Sequence, residues 1–261
     1  METGGHTALA RTDELDGKVI WVTGAGKGLG RAIATAVLNA GATLVATSRS
    51  AADLVTLRDE HGADRVVVAP ASVVDEDAIE RLVADLPEAN GGRLHGLVNC
   101  AGISPSFVRS ERLDVATLQQ ILSTNTIGTF ICARAAARVM LGQAGGGSIV
   151  NVSSVHGRVG YPRLAAYAAS KGAIAALTTS LAVEWADRGV RVNTIAPGYF
   201  RTELSAGLLD SHWGQDIVRR TPMGRTGRPD ELGRAATYLL SDGASYVTGT
   251  TISIDGGWQA W

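Results

Sequence analysis

The stretch KVIWVTGAGKGLGRAIATAVLNAG, Lys18–Gly41, decides the fold. Its opening, Lys18–Thr23, is a continuous apolar run of the kind that forms a strand buried on both faces. Gly24–Gly30 is glycine-rich. The remainder reads as a helix that stops at Gly41, a residue suited to a helix end. A strand, a glycine turn and a helix in that order aim the unpaired N–H groups of the helix start at the turn. That arrangement is an anion site.

The same alternation continues along the chain. Thr43–Ser48, Arg65–Ala69, Leu94–Asn99, Ser148–Ser153, Val190–Ala196 and Thr250–Asp255 read as further strands. Between them fall helices at Ala51–Gly62, at Asp75–Leu86, over roughly Asp114–Leu141, around YAASK (Tyr167–Lys171) and at Pro229–Ser241. Arg201–Arg220 reads as irregular or weakly helical. The pattern predicts an α/β fold: one doubly wound parallel sheet of about seven strands with helices on both faces. One domain over residues 15–261 is expected, with a flexible arm at 1–14 and a lid at about 199–220.

Composition narrows the function. The chain has 261 residues, 45% of them apolar, and a formal charge of −1. Neither nucleic acid nor an anionic membrane is an expected partner. Cys100 and Cys132 sit in apolar stretches and build no disulfide framework, which suits a reducing cytoplasm. The first 17 residues lack the apolar core of a signal peptide, and no uncharged apolar run is long enough to span a membrane. His6, His61, His95, His156 and His212 show no metal-ligand spacing, and His156 reads as a loop residue.

In the glycine loop, Gly24, Lys27, Gly28, Leu29 and Gly30 are candidate contacts to a dinucleotide pyrophosphate. An acid at the end of the second strand would hold a ribose 2′-hydroxyl. Here that place holds Ser48, followed by Arg49. A guanidinium binds a 2′-phosphate that a carboxylate would repel, and Lys27 adds charge nearby, so NADP(H) is expected over NAD(H).

Tyr167 and Lys171 are four apart and share a helix face. A nearby ammonium favours phenolate, so Lys171 is expected to lower the pKa of Tyr167 and make it a general acid and base. Ser154 follows the fifth strand at the edge where ligands bind, with Ser153 as the competing choice. Asn125 lies on an apolar helix face with Ile121, Leu122 and Thr129. Spacing alone reads it as a satisfied core amide.

TGAGKGLG (Thr23–Gly30), NCAG (Asn99–Gly102), Asn125, NVSS (Asn151–Ser154), YAASK and PGYFRT (Pro197–Thr202), in this order, resemble a short-chain dehydrogenase/reductase of the classical type. The resemblance covers about Leu15–Trp258. It implies a Rossmann-type fold, a small carbonyl or alcohol substrate, and a tetrad of Asn125, Ser154, Tyr167 and Lys171. In that tetrad Ser154 orients the carbonyl, Lys171 holds the nicotinamide ribose and Asn125 supports a water relay. It also implies cofactor contacts from Ser72, Val73, Asn99, Ala101, Gly102, Pro197, Gly198 and Thr202, and a homotetramer or dimer. Cys100 departs from the family's second asparagine.

Tyr199, Phe200, Leu204, Leu208 and Trp213 are candidate lid residues, and Arg158, Tyr161 and Arg163 enter from the loop after Ser154. Trp258 and Trp261 read as exposed interface residues. For the substrate, a 3-oxoacyl carrier-protein reductase and a gluconate 5-dehydrogenase-like enzyme are alternatives. A dinucleotide sensor without turnover is the reading from another class.

Overall fold

The computed structural model describes residues 14–86, 92–104 and 107–260. Seven parallel strands form one sheet in the order β3-β2-β1-β4-β5-β6-β7. They are β1 Val19–Thr23, β2 Thr43–Thr47, β3 Val66–Val68, β4 Gly96–Asn99, β5 Gly147–Val152, β6 Val190–Pro197 and β7 Thr251–Ile254. The chain runs outward from β1 to β3, then returns to lay β4 on the other side of β1. Crevices form beyond the carboxyl ends of strands at such a reversal. The doubly wound expectation is met.

Helices α1 (Gly28–Asn39), α2 (Ala51–His61) and α9 (Pro229–Leu240) belong to one face. There Ile20, Val22, Leu44 and Val98 meet Ile33, Val37, Leu54, Leu232 and Leu239. On the other face lie α3 (Glu76–Ala84), α4 (Val115–Leu122), α5 (Gly128–Gly142) and α6 (Ala165–Trp185). Trp21 is fully buried among that face's side chains and donates its indole N–H to Thr47 Oγ1 at 2.9 Å. A buried indole needs such a partner.

The long helix expected over Asp114–Leu141 is one continuous rod with a π-helical turn, Ser123–Ile127, between α4 and α5. The Gly128 N–H donates to Ser123 O, five residues back. Such turns displace one residue from the regular ladder and recur at functional sites. Here the displaced turn carries Asn125. Residues 201–220, read as irregular or weakly helical, contain two short helices, α7 (Glu203–Leu209) and α8 (His212–Arg220). Thr202 and Ser211 cap them, a local signal that the mixed polarity of the segment hides.

A polar row crosses the sheet near the carboxyl ends of the strands. Thr47, Thr23, Asn99, Asn151 and Thr194 are in register on adjacent strands. Asn99 Nδ2 donates to Asn151 Oδ1 (3.0 Å), Asn151 Nδ2 to Thr178 Oγ1 (2.9 Å), and Thr194 Oγ1 to Thr178 Oγ1 (2.7 Å). Thr23 Oγ1 accepts the N–H groups of Cys100 and Ala101. The row ties strand ends together where the sheet turns into loops, and it marks the boundary between apolar core and crevice.

Candidate active site

One half of the crevice is built on the glycine loop. The side chains of Ser50, Asp75 and Asp114 cap α2, α3 and α4, but α1 starts at Lys27 with no side-chain cap and no acid in its first turn. Its first N–H groups therefore face the loop without a side-chain acceptor, which suits a phosphate. Gly24 has φ +70°, and a Cβ there would lie 2.9 Å from the backbone of Ala101. Only glycine lets the β1 and β4 loops approach this closely. Thr202 lies against Gly28. These features fit a dinucleotide.

Charge surrounds that loop. Lys27 Nζ is 4.0 Å from Asp53 and 3.6 Å from Glu203. Arg49 is exposed and has no ion-pair partner among the described residues. Ser48 Oγ donates to Ser50 O. A free guanidinium beside a shared ammonium can take up an added phosphate.

The other half gathers Asn125, Ser154, Tyr167 and Lys171. Asn125 is fully buried. Its Nδ2 donates to Ile103 O and Ser170 Oγ, each at 3.0 Å, and its Oδ1 accepts the Ile103 N–H at 2.8 Å. Its side chain is thus committed to holding the loop after β4 on α6. Lys171 Nζ donates to Val152 O at 2.8 Å and lies 5.7 Å from the Tyr167 ring centroid. A Cβ on Gly102 would sit 3.5 Å from Lys171 Nζ and 3.3 Å from Asn125 Oδ1, so a side chain there would crowd both. Ser154 lies close enough to the Tyr167 hydroxyl to bear on its ionisation. Ser153 instead donates to Lys171 O (2.7 Å), which makes Ser154 the serine that reaches the phenol.

The electrostatics differ from the expectation. Burial raises the Tyr167 pKa above its ordinary value, and the nearby Ser154 hydroxyl opposes this only in part. Burial also lowers Lys171, to about 8. Lysine does not pull the phenol down in this structure, because desolvation acts on both groups more strongly than either acts on the other. Cys100, beside them, is raised to about 11 and is a thiol at neutral pH.

The remaining candidate residues take up varied positions. Asn99 Nδ2 is directed into the sheet, donating to Asn151 Oδ1 and Thr129 O, while its Oδ1 is buried without a partner. Leu29 packs on the apolar core. Phe200 is buried in that core against Gly227 and does not serve as a lid residue. Trp258 is 4% exposed, packed edge-on against Tyr199 and under Arg220, and offers no free apolar face; Trp261 lies outside the described residues. His156, read as a loop residue, is buried and bonded to the Tyr199 hydroxyl. Its signal was position, two residues past Ser154. Val73 packs on Gly128, Ser72 accepts the Asp75 N–H through its carbonyl, and Pro197–Gly198 ends β6 against Asp255. Among the described residues no cluster of three or more His, Cys, Asp or Glu could hold a metal ion, and no helix is long and apolar enough to cross a membrane.

A glycine cradle at the sheet reversal, with a phenol and an ammonium across from it, defines a dinucleotide-dependent α/β protein. Comparison with known proteins agrees. Residues 24–259 match the family model described as enoyl-(acyl carrier protein) reductase. The chain is 42% identical to galactitol 2-dehydrogenase (L-tagatose-forming) of Cereibacter sphaeroides, over 95% of this chain and 97% of that protein. It is 39% identical to D-threitol dehydrogenase of Mycolicibacterium smegmatis, over 94% of each. The crystal structure of a gluconate 5-dehydrogenase from Burkholderia cenocepacia in complex with NADP and tartrate superposes with a TM-score of 0.89 at 33% identity. That match covers 96% of this chain and 98% of the other. The chain belongs to the short-chain dehydrogenase/reductase family. It is an NAD(P)-dependent oxidoreductase that interconverts a secondary alcohol and a ketone.

Proposed function

We propose that the protein is an NADP(H)-preferring oxidoreductase of small polyhydroxylated alcohols, with Tyr167 as its proton donor and acceptor. The observation that carries this reading is Tyr167 beside Ser154, with the buried Lys171 Nζ 5.7 Å from its ring and held between Val152 O and Gly102. The relatives named for galactitol and threitol, and the neighbour holding NADP and tartrate, support the substrate class.

The nicotinamide cofactor, when bound, supplies or accepts the hydride. This chain's residues do the rest. The open start of α1, with Gly24, Gly28, Gly30, Ala101 and Thr202 around it, holds the pyrophosphate. Ser72 and Val73 border the adenine, and Pro197, Gly198 and Gly102 shape the nicotinamide side. Arg49 and Lys27 hold a 2′-phosphate. Ser154 donates to the substrate oxygen and fixes its position. Tyr167, kept protonated by burial, delivers its proton to that oxygen when a ketone is reduced. Lys171 bonds the ribose hydroxyls and replenishes the phenol, and Asn125 fixes the loop and the π-turn that border it. In alcohol oxidation Tyr167 must first be ionised, so that direction is the one favoured by high pH.

Residues 203–220 act as a lid, with Leu204 and Trp213 exposed and Leu208 turned inward. Val115, Ile127, Phe130 and Val183 leave an apolar surface on α4 to α6 that supports a homotetramer. A cytoplasmic location suits its free thiols. Against a silent sensor stands the pairing of Tyr167 with the buried Lys171, since binding the cofactor alone has no need of the phenol beside that costly ammonium.

The test is NADPH and NADH consumption over a panel of ketoses, keto acids, β-keto thioesters and cyclic ketones, repeated with Arg49→Asp. NADPH preference in the wild type that Arg49→Asp reverses is expected. An unchanged preference rejects the cofactor assignment. Binding without turnover, unaffected by Tyr167→Phe, rejects the enzyme.

A further inference from the structure

His156 and Tyr199 come from the ends of different strands and meet beside the site. His156 lies two residues past Ser154, in the turn after β5, and Tyr199 two residues past Pro197, the end of β6. His156 Nε2 is 2.9 Å from the Tyr199 hydroxyl oxygen. The other ring nitrogen, Nδ1, is 3.3 Å from Val159 O. A carbonyl only accepts, so Nδ1 carries a proton. The ring is buried, which lowers its pKa and keeps it neutral. A neutral imidazole with its proton on Nδ1 can only accept at Nε2. The Tyr199 O–H therefore donates inward.

That fixes the polarity of what Tyr199 offers outward. Its proton is spent on His156, and among the described residues no other group hydrogen-bonds its oxygen. The oxygen presents lone pairs alone. The ring is held edge-on between Trp258 (centroids 4.9 Å apart) and His156 (5.6 Å), so its hydroxyl stays in place. Tyr199 is half-buried and close enough to Tyr167 for charge on that phenol to bear on it. An acceptor at this position suits a ligand O–H and disfavours a carbonyl or carboxylate oxygen.

We infer that Tyr199, oriented by His156, is a specificity-determining residue that accepts a hydrogen bond from the hydroxyl neighbouring the reacting carbon of a vicinal diol. The inference rests on the alcohol–ketone reading and deepens its substrate class. A site built to bond a hydroxyl strongly rejects the analogue that lacks it, because its own polar group is left unpaired. His156 is a positioning residue, acting through Tyr199.

The experiment pairs vicinal alcohols with congeners lacking the neighbouring hydroxyl: 2,3-butanediol against 2-butanol, and 1,2-propanediol against 2-propanol. Oxidation with NADP+ is measured for the wild type, Tyr199→Phe and His156→Leu. The wild type is expected to favour each diol in kcat/KM by about a hundredfold. Each variant should cut that ratio at least tenfold, mainly through the KM of the diol. Quenching of NADPH fluorescence identifies folded variants, and either one suffices. A wild-type ratio near one overturns the inference. So does a ratio that neither variant moves, including the case in which both substrates and the melting temperature fall together, as a purely structural contact would give. Turnover with a flat ratio overturns only the Tyr199 assignment. No turnover of any pair, with the matching ketones also inert, overturns the alcohol–ketone reading and the assignment with it.

Discussion

Lys27 and Lys171 are two of only three lysines in the chain, and the fold uses them in opposite ways. Lys27 is 58% exposed and shared between two carboxylates. Lys171 is 5% exposed, has no carboxylate partner among the described residues and is held by a backbone carbonyl. In water a charge is cheap and weak; out of water it is costly and strong. The first suits meeting a phosphate that comes and goes. The second suits acting on one fixed neighbour. Substituting the two in parallel should separate binding from chemistry.

The largest effect is expected at the buried lysine and its phenol. Tyr167→Phe removes the transferable proton and should lower kcat by about 10²–10⁴-fold. Lys171→Met should fall in the same range, yet melt no lower than the wild type, since it replaces a desolvated ammonium with an apolar chain of similar length. Lys27→Met should leave kcat within about threefold. Equal kcat losses at both lysines would erase the distinction. A large loss of melting temperature in Lys171→Met would show that Lys171 is structural.

Next is pH. Burial places the Lys171 pKa in the folded protein at about 8, below its unfolded value near 10.5. The unfolded chain then binds that proton more tightly, so the protein gains stability as pH rises from about 8 toward 10.5. The full difference corresponds to roughly 3 kcal/mol. The melting temperature of the wild type, measured against Lys171→Met at each pH, should rise across that window. A flat difference would mean that the ammonium is better solvated than its surroundings imply. The raised Tyr167 pKa gives the kinetic counterpart. Oxidation should accelerate with pH to beyond pH 9, while reduction should not.

Smaller still is the cofactor effect at the exposed pair. Lys27→Ala and Arg49→Ala should each raise the KM for NADPH about tenfold, with little change for NADH, since each removes one charge-assisted contact. Raising salt from 0.05 to 0.5 M should weaken NADPH more than NADH, because exposed charges are screened. Equal salt sensitivity for both cofactors would place the 2′-phosphate away from these residues.

The same contrast explains what the sequence made legible. Lys18–Gly41 foretold β1, the loop and α1 because apolar period and glycine placement are local signals. Tyr167 and Lys171 were legible because helix geometry alone puts them together. What needed coordinates was set by contacts between distant segments. Asn99 joins the polar row because Asn151 stands in register beside it, a pairing that sequence distance conceals. Phe200 turns inward because Gly227 leaves room for its ring. His156 has a role only because β6 brings Tyr199 to it. The direction of the Tyr167 shift was missed for the same reason: the four-residue spacing gives the charge, but the desolvation comes from everything packed around it.

The smallest expected effect sharpens the comparison most. Glu203 begins α7 and lies 3.6 Å from Lys27, so it joins the glycine loop to the segment after β6. Both partners are well exposed, and such pairs contribute little to stability. Glu203→Gln should therefore move the melting temperature by no more than about 2 °C. Its effect should appear instead in binding. The carboxylate competes with a 2′-phosphate for Lys27, so its removal should lower the KM for NADPH by about twofold and leave NADH unchanged, an effect of the size surface charges produce. A gain shared by both cofactors would mean that Glu203 acts on the pyrophosphate. A loss of affinity would mean that the ion pair holds α7 over the cofactor, and Lys27 would then be a structural link to the lid instead of a charge kept free for phosphate.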